Sequence, residues 1–164
     1  MPTDPDWAGG TLLVDHQQED CLASPGELFA QLCRIGGDAG WPSPEWMWAL
    51  RGAADRLVGG PGMRRGRRHP TELRVGDVVD FWRVEELVPG ELLRLRAEMR
   101  LPGEAWLQWT ITPHPFGPGC TVDQRAVFHP RGAWGLAYWY GIWPLHQLVF
   151  VGMLEGVARH ARST

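Results

Sequence analysis

The chain has 164 residues, 44% of them hydrophobic and 21% charged, with a formal net charge of −3. That is one domain's worth of chain with enough apolar material for its own core, and the acidic balance offers no general attraction to nucleic acid or anionic membrane. Tryptophan is the unusual component, 10 residues against 2 tyrosines, which points to a core of large plates or to a cavity lined by them.

Residues 1–10 read as a loose lead-in whose start, Met1-Pro2-Thr3-Asp4-Pro5-Asp6, is too acidic and polar for a signal peptide. Thr11 to Asp15 is a short strand candidate. Ser24-Pro25-Gly26-Glu27 is a capping box: the serine accepts from the third backbone N–H, the glutamate reaches back, and proline stands where no N–H is needed. Leu28, Leu32 and Ile35 then fall at helical spacing and Gly36-Gly37 ends the helix. A second helix is predicted from the cap at Ser43, with Pro44 and Glu45 in its first turn, a stripe of Trp46, Leu50, Ala54 and Leu57, and a stop at Gly59-Gly60.

From residue 75 the period changes to two. Val79, Phe81 and Arg83 share one face and Asp80 and Trp82 the other. Leu93, Leu95, Ala97 and Met99 alternate with Arg94, Arg96, Glu98 and Arg100, and Ala105, Leu107, Trp109 and Ile111 with Trp106, Gln108 and Thr110. Val122, Gln124, Ala126 and Phe128 share a face opposite Asp123 and Arg125. Turns are expected at Pro89-Gly90, Pro102-Gly103, Pro113 to Gly119 and Pro130-Arg131-Gly132. Such alternation predicts an antiparallel sheet with one covered face. Trp134 to Tyr140 reads as a last, aromatic-rich strand, and Pro144 as the opening of a third helix that runs to about Arg162. That helix is apolar over a broad arc and needs cover, which the hollow of the preceding sheet supplies. The fold class is therefore α+β, a single domain over residues 1–164: a curved antiparallel sheet around a long C-terminal helix, with a helical pair inserted after the first strand.

That order is the helix-grip order, and several motifs are familiar as well. Gly36-Gly37-x-x-Gly40-Trp41, Trp48-x-Leu50-Arg51-Gly52, Gly76-Asp77-x-Val79-Asp80-Phe81-Trp82-Arg83-Val84, Ala97-Glu98-Met99, Pro102-Gly103-x-Ala105-Trp106-Leu107, and Tyr138-Trp139-Tyr140 with Pro144-x-His146 resemble an uncharacterised bacterial family, DUF2867, of the START-like (SRPBCC) superfamily. The resemblance covers residues 10–160. It implies a chamber between sheet and long helix, since the superfamily binds lipids, sterols and polyketides there and a few members catalyse cyclisation or hydration. Family members are often joined to an NAD(P)-binding, epimerase-like domain. No NAD site carries over to this chain, because Gly60-x-Gly62 is followed by Arg65 where GxGxxG needs glycine.

The polar and indole groups that interrupt apolar faces are the candidate ligand contacts: Trp82, Arg83, Glu98, Trp106, Gln124, Tyr138, Trp139 and His146. A pocket needs a few polar groups converging on an apolar interior, and a buried polar group without a partner costs roughly 1–3 kcal/mol. The competing reading is an internal hydrogen-bond network or ordinary core packing. His146, with an ordinary pKa of about 6.5, suits proton transfer, with Glu98 or Tyr138 as its second group, although alternation sets Glu98 on the wet face. Arg64-Arg65-Gly66-Arg67-Arg68-His69 is a basic stretch that either holds an anion or is a solvated loop paired to carboxylates. No catalytic motif appears, and the six histidines have no metal-ligand spacing. Cys21, Cys33 and Cys120 form no CxxC pair, which fits a reducing cytoplasm. No apolar run reaches the roughly 18 residues of a membrane span. The expectation is a small apolar or amphipathic ligand in the chamber, with no cofactor, metal, nucleic acid or membrane span. A cyclase or hydratase using His146, a docking role beside a separately encoded NAD(P)-binding protein, and a homodimer are the alternatives carried forward.

Overall fold

The computed structural model describes residues 11–41, 53, 56, 57, 59 and 67–162. The expected second helix, with Ser43, Trp46, Leu50 and Ala54, lies almost wholly outside the described residues.

Six antiparallel strands make one sheet: β1 (Leu13–Cys21), β2 (Val78–Val79), β3 (Trp82–Val88), β4 (Leu92–Ala97), β5 (Gly103–Pro113) and β6 (Cys120–Pro130). They lie in the order β1-β6-β5-β4-β3-β2. Strands β2 to β6 follow one another as hairpins, β3 to β6 through the predicted turns. β1 closes the far edge, paired with β6 from Leu13↔Phe128 to Cys21↔Cys120. It is longer than its apolar start suggests, because its pairing continues through a polar stretch, His16 to Asp20.

Helix α1 (Pro25–Leu32) begins at the expected capping box. The Glu27 N–H donates to Ser24 Oγ at 3.3 Å, and the Ser24 N–H donates to Glu27 Oε2 at 2.8 Å. It buries Leu28, Phe29 and Leu32 and stops at Cys33, short of Ile35. The glycines that follow bring two sequence motifs together. Asp80, buried and at φ 57°, accepts from the Trp41 indole at 2.7 Å and from the Gly37 N–H at 3.2 Å. A Cβ on Gly36, itself at φ 79°, would stand 2.4 Å from Val79 Cγ1. Only glycine lets the chain pass so close to β2.

Two expectations are corrected here. Val79 to Trp82 is not one strand: Asp80 and Phe81 form a two-residue turn, and Val79 pairs with Trp82. A non-glycine residue at positive φ suits such a tight hairpin turn. Trp82 therefore shares a face with Val79, and Arg83 faces the other way. Trp134 to Tyr140 is not a strand. It is the first part of one helix, α2 (Gly132–Arg162), of 31 residues, and Pro144 lies inside it rather than at its start. The buried or half-buried positions Gly135, Trp139, Ile142, His146, Val149, Phe150 and Met153 recur every three or four residues, the helical period. Exposed aromatics between them, Trp134 and Tyr140, conceal it by giving the run the composition of a strand. Pro144 removes the helical hydrogen bond to the Tyr140 carbonyl.

The core divides α2 in two. Its C-terminal half packs Met153, Leu154, Val157 and Ala158 against Leu93, Leu107, Trp109, Ile111 and Val122 of the sheet and Leu28 and Leu32 of α1. The N-terminal half stands over the other end of the sheet, seated through Gly135, where a Cβ would meet the Pro102 carbonyl at 2.5 Å.

Candidate functional site

Under the N-terminal half of α2 the sheet is not filled. A chamber of about 250 Å³ remains, bounded below by β3 to β6 and the 97–101 segment and above by α2 from Tyr138 to Phe150. Its walls are mostly aliphatic and aromatic. The face of α2 that looks into it carries Trp139, His146 and Phe150, at helical spacing. Trp139 stacks on Phe128 at 5.7 Å between centroids, and Tyr138 also packs on Phe128, at 5.7 Å. The His146 ring lies on Phe150 at 4.0 Å and beside Trp139 at 5.1 Å.

Of the eight predicted site residues, five border the chamber: Trp82, Trp106, Tyr138, Trp139 and His146. The indole nitrogens of Trp82 and Trp106 are buried without a hydrogen-bond acceptor. Such an orphaned donor costs about 1–3 kcal/mol.

The other three lie elsewhere. Gln124 is 1% exposed and both ends of its amide meet protein groups: its Oε1 accepts from Trp109 Nε1 at 2.8 Å and its Nε2 donates to the Phe150 carbonyl at 2.8 Å. It ties α2 to the sheet, which is the internal-network reading. Arg83 and Glu98 stand on the opposite side of the sheet from the chamber, where the Arg83 guanidinium binds the Glu98 carboxylate and donates to the Gly76 carbonyl at 2.9 Å. The hairpin turn at Asp80 sends Arg83 there, and Glu98 follows the alternation of β4. Glu98 and His146 are therefore not brought together.

The partner of His146 is one that sequence reasoning passed over. Asp15, on β1 and only 4% exposed, approaches Nδ1 of His146 with Oδ2 at 3.1 Å. Gln17, two residues along the same face, donates to the other oxygen of Asp15 at 2.9 Å and reaches Gln147 Oε1 at 3.3 Å. The sequence signal was parity: Leu13, Asp15 and Gln17 share a strand face, so an inward Leu13 carries Asp15 inward with it. A carboxylate only accepts hydrogen bonds, so it holds the imidazole proton on Nδ1 and leaves Nε2 as the basic nitrogen of the neutral ring.

The remaining candidates are structural. Arg67 donates to the carbonyls of Cys33, Ile35 and His69, closing the end of α1. Arg68 forms a bidentate pair with Asp77. That part of the basic stretch is therefore committed to the protein, and residues 64–66 lie outside the described residues. Burial pushes the thiols of Cys33 and Cys120 up to about 11, the reverse of what a nucleophilic cysteine needs. Among the described residues no cluster of histidine, cysteine and carboxylate side chains fits a metal ion, and no helix is long and apolar enough to cross a membrane.

The family model described as "Protein of unknown function (DUF2867)" matches residues 7–153. The chain belongs to this family. No curated protein matches the sequence. Several solved structures share the fold. The di-domain ARO/CYC StfQ of the steffimycin biosynthetic pathway superposes with a TM-score of 0.55 at 12% identity, over 93% of this chain and 51% of that one. Truncated norcoclaurine synthase from Thalictrum flavum gives 0.54 at 12% identity, over 91% and 92% of the two chains. Ara h 8.0201 gives 0.51 at 9%, over 94% and 100%. The chain thus spans about half the length of the StfQ protein. These likenesses establish the helix-grip fold of the Bet v1 and START-like (SRPBCC) proteins for this DUF2867 member.

Proposed function

We propose that this DUF2867 protein binds a small apolar or amphipathic molecule in the chamber beneath the first half of α2. One observation carries the reading: the helix that seals the core at its C-terminal half leaves about 250 Å³ of apolar-walled space at its N-terminal half. An interior normally closes such space, because side chains pack to near-crystalline density. The size lies near the lower end of ligand pockets, roughly 300 Å³, and removing apolar ligand surface from water supplies about 25 cal/mol per Å². Tyr138, His146 and the indole of Trp82 supply the polar minority that orients a ligand. The shared fold agrees, since proteins of this fold generally bind hydrophobic ligands.

The test is a titration with prodan, a neutral naphthyl ketone whose emission shifts to the blue in apolar surroundings. Saturable binding at one molecule per chain is expected. It is lost in Ala105→Phe, which fills the chamber from its floor, while the melting temperature stays close to that of the wild type. Unchanged binding in a folded Ala105→Phe protein removes the chamber as the site.

A second reading, a protein contact, is favoured by a separate observation. The outer face of α2 exposes Trp134 (83%), Tyr140 (66%), Leu145 (48%) and Leu148 (66%), and no Asp, Glu, Lys or Arg occurs from Gly132 to Leu154. Exposed apolar stretches of this kind mark interfaces. A dimer by light scattering supports self-association. A monomer that co-elutes with an NAD(P)-binding protein supports the docking role instead.

A further inference from the structure

We propose that the chamber also holds a general base, His146 oriented by Asp15, which takes a proton from carbon of a bound neutral carbonyl or heteroaromatic compound. This rests on the reading of the chamber as a binding site, and adds a class of reaction and a positioning residue to it.

Three features converge on the His146 imidazole. It forms part of the chamber wall, so a bound molecule touches it. Its Nδ1 stands 3.1 Å from a carboxylate carried by β1, at the far edge of the sheet in sequence terms and 131 residues away. That carboxylate is itself held by Gln17. The ring is also fixed in orientation by Phe150 on one side and Trp139 near the other. A histidine with Nδ1–H bound to a buried carboxylate has its lone pair on Nε2, and the carboxylate stabilises the imidazolium formed when that lone pair takes a proton. Among the described residues, Asp15 of β1 contacts the ring and Tyr138 of the same helix borders the chamber. Strands β3 to β6 and the 97–101 segment contribute only uncharged side chains to the chamber. A base in apolar surroundings is poorly solvated, which favours attack on a weakly acidic C–H over exchange with water.

In the step itself, the C–H electron pair becomes a new carbon–carbon π bond as the proton moves to Nε2. The carbonyl π pair moves onto oxygen, giving an enolate. When the bound carbonyl compound carries a β,γ double bond the enolate extends to a dienolate, and return of the same proton to the γ carbon leaves the α,β-unsaturated isomer, with no oxidant or reductant consumed.

The test uses 5-nitrobenzisoxazole, a neutral aromatic of chamber size. Loss of its ring C–H proton to Nε2 sends the C–H electrons into the nitrile bond and breaks the N–O bond, releasing a coloured cyano-nitrophenolate. The expected result is a kcat/KM about tenfold or more above that of His146→Gln. Glutamine keeps an amide donor toward Asp15 but is no base, so it guards against simple unfolding. The wild-type rate should rise with pH along one ionisation. In Asp15→Asn the amide donates to Nδ1, which puts the ring proton on Nε2 and removes the basic lone pair there, so kcat falls about tenfold or more and the pH profile moves, while KM and prodan binding hold. If 5-nitrobenzisoxazole displaces prodan but turns over no faster than with His146→Gln, the base is refuted and the binding chamber stands. If neither probe binds, both readings fall together.

Discussion

Replacing Gln124 by leucine tests whether the amide is a fastener or a ligand contact. Leucine is similar in bulk but one atom shorter than glutamine, and accepts nothing. Trp109 Nε1, in a residue 0% exposed, then loses its acceptor with no water to replace it. Phe150 loses the amide donor at its carbonyl, but a carbonyl has a second lone pair inside the helix. The larger cost falls on the indole, about 1–3 kcal/mol. At about 2–4 °C per kcal/mol for a domain of this size, the melting temperature should drop by roughly 4–8 °C for a cost near the middle of that range. Thermal melts followed by circular dichroism read this directly. A cycle with Trp109→Phe should show a coupling of about 1 kcal/mol, because removing both partners is milder than orphaning one. The folded Gln124→Leu protein should still bind prodan. A melting temperature within a degree of wild type, or no coupling to Trp109, refutes the fastener. Loss of prodan binding in a folded variant makes Gln124 a ligand contact after all.

Two further outcomes follow from other polar anchors. Asp80→Ala orphans the Trp41 and Gly37 donors and leaves a Cβ residue at φ 57° with no local hydrogen bond to favour it, so urea titration should show a loss of about 2–4 kcal/mol, whereas Asp80→Asn keeps an acceptor and tolerates the conformation and should lose much less. Asp77 is held below the usual carboxylate range by its hydrogen bond from Arg68 and by the Arg74 N–H. A depressed carboxylate contributes stability above its unfolded pKa and loses it as pH falls through the folded value. The wild type should therefore exceed Asp77→Asn by about 1 kcal/mol at pH 7, and the gap should close in melts below about pH 4.

Much of the fold was legible because local chemistry and global pattern agree. The Ser24–Glu27 capping box and the turns at Pro89-Gly90, Pro113 to Gly119 and Pro130 to Gly132 occur where sequence places them, and the alternation in β4, β5 and β6 assigns the covered face correctly. Legibility failed where two periods compete. Trp134 to Tyr140 has strand composition on a helical spacing, and the exposed rings outvote the buried ones by eye. Pro144 has the appearance of a helix start because a first-turn proline is so favourable, yet a long, well-packed helix tolerates it inside. The candidate site suffered from the same two effects on a smaller scale. One left-handed residue, Asp80, reversed the face of Arg83, and β1 was cut short at its polar residues, hiding Asp15 and Gln17. His146 was visible as a polar interruption of an apolar helix, but its partner comes from the opposite end of the chain, and no spacing rule reaches that far.

The chamber is tested most directly by a crystal structure of the protein soaked with prodan. The naphthyl ring is expected between α2 and the sheet, against Trp139 and Phe128, with His146 within reach of the ketone end. Prodan bound only on the outer face of α2, or an α2 packed onto the sheet with its side chains filling the space, would contradict a ligand chamber in this protein.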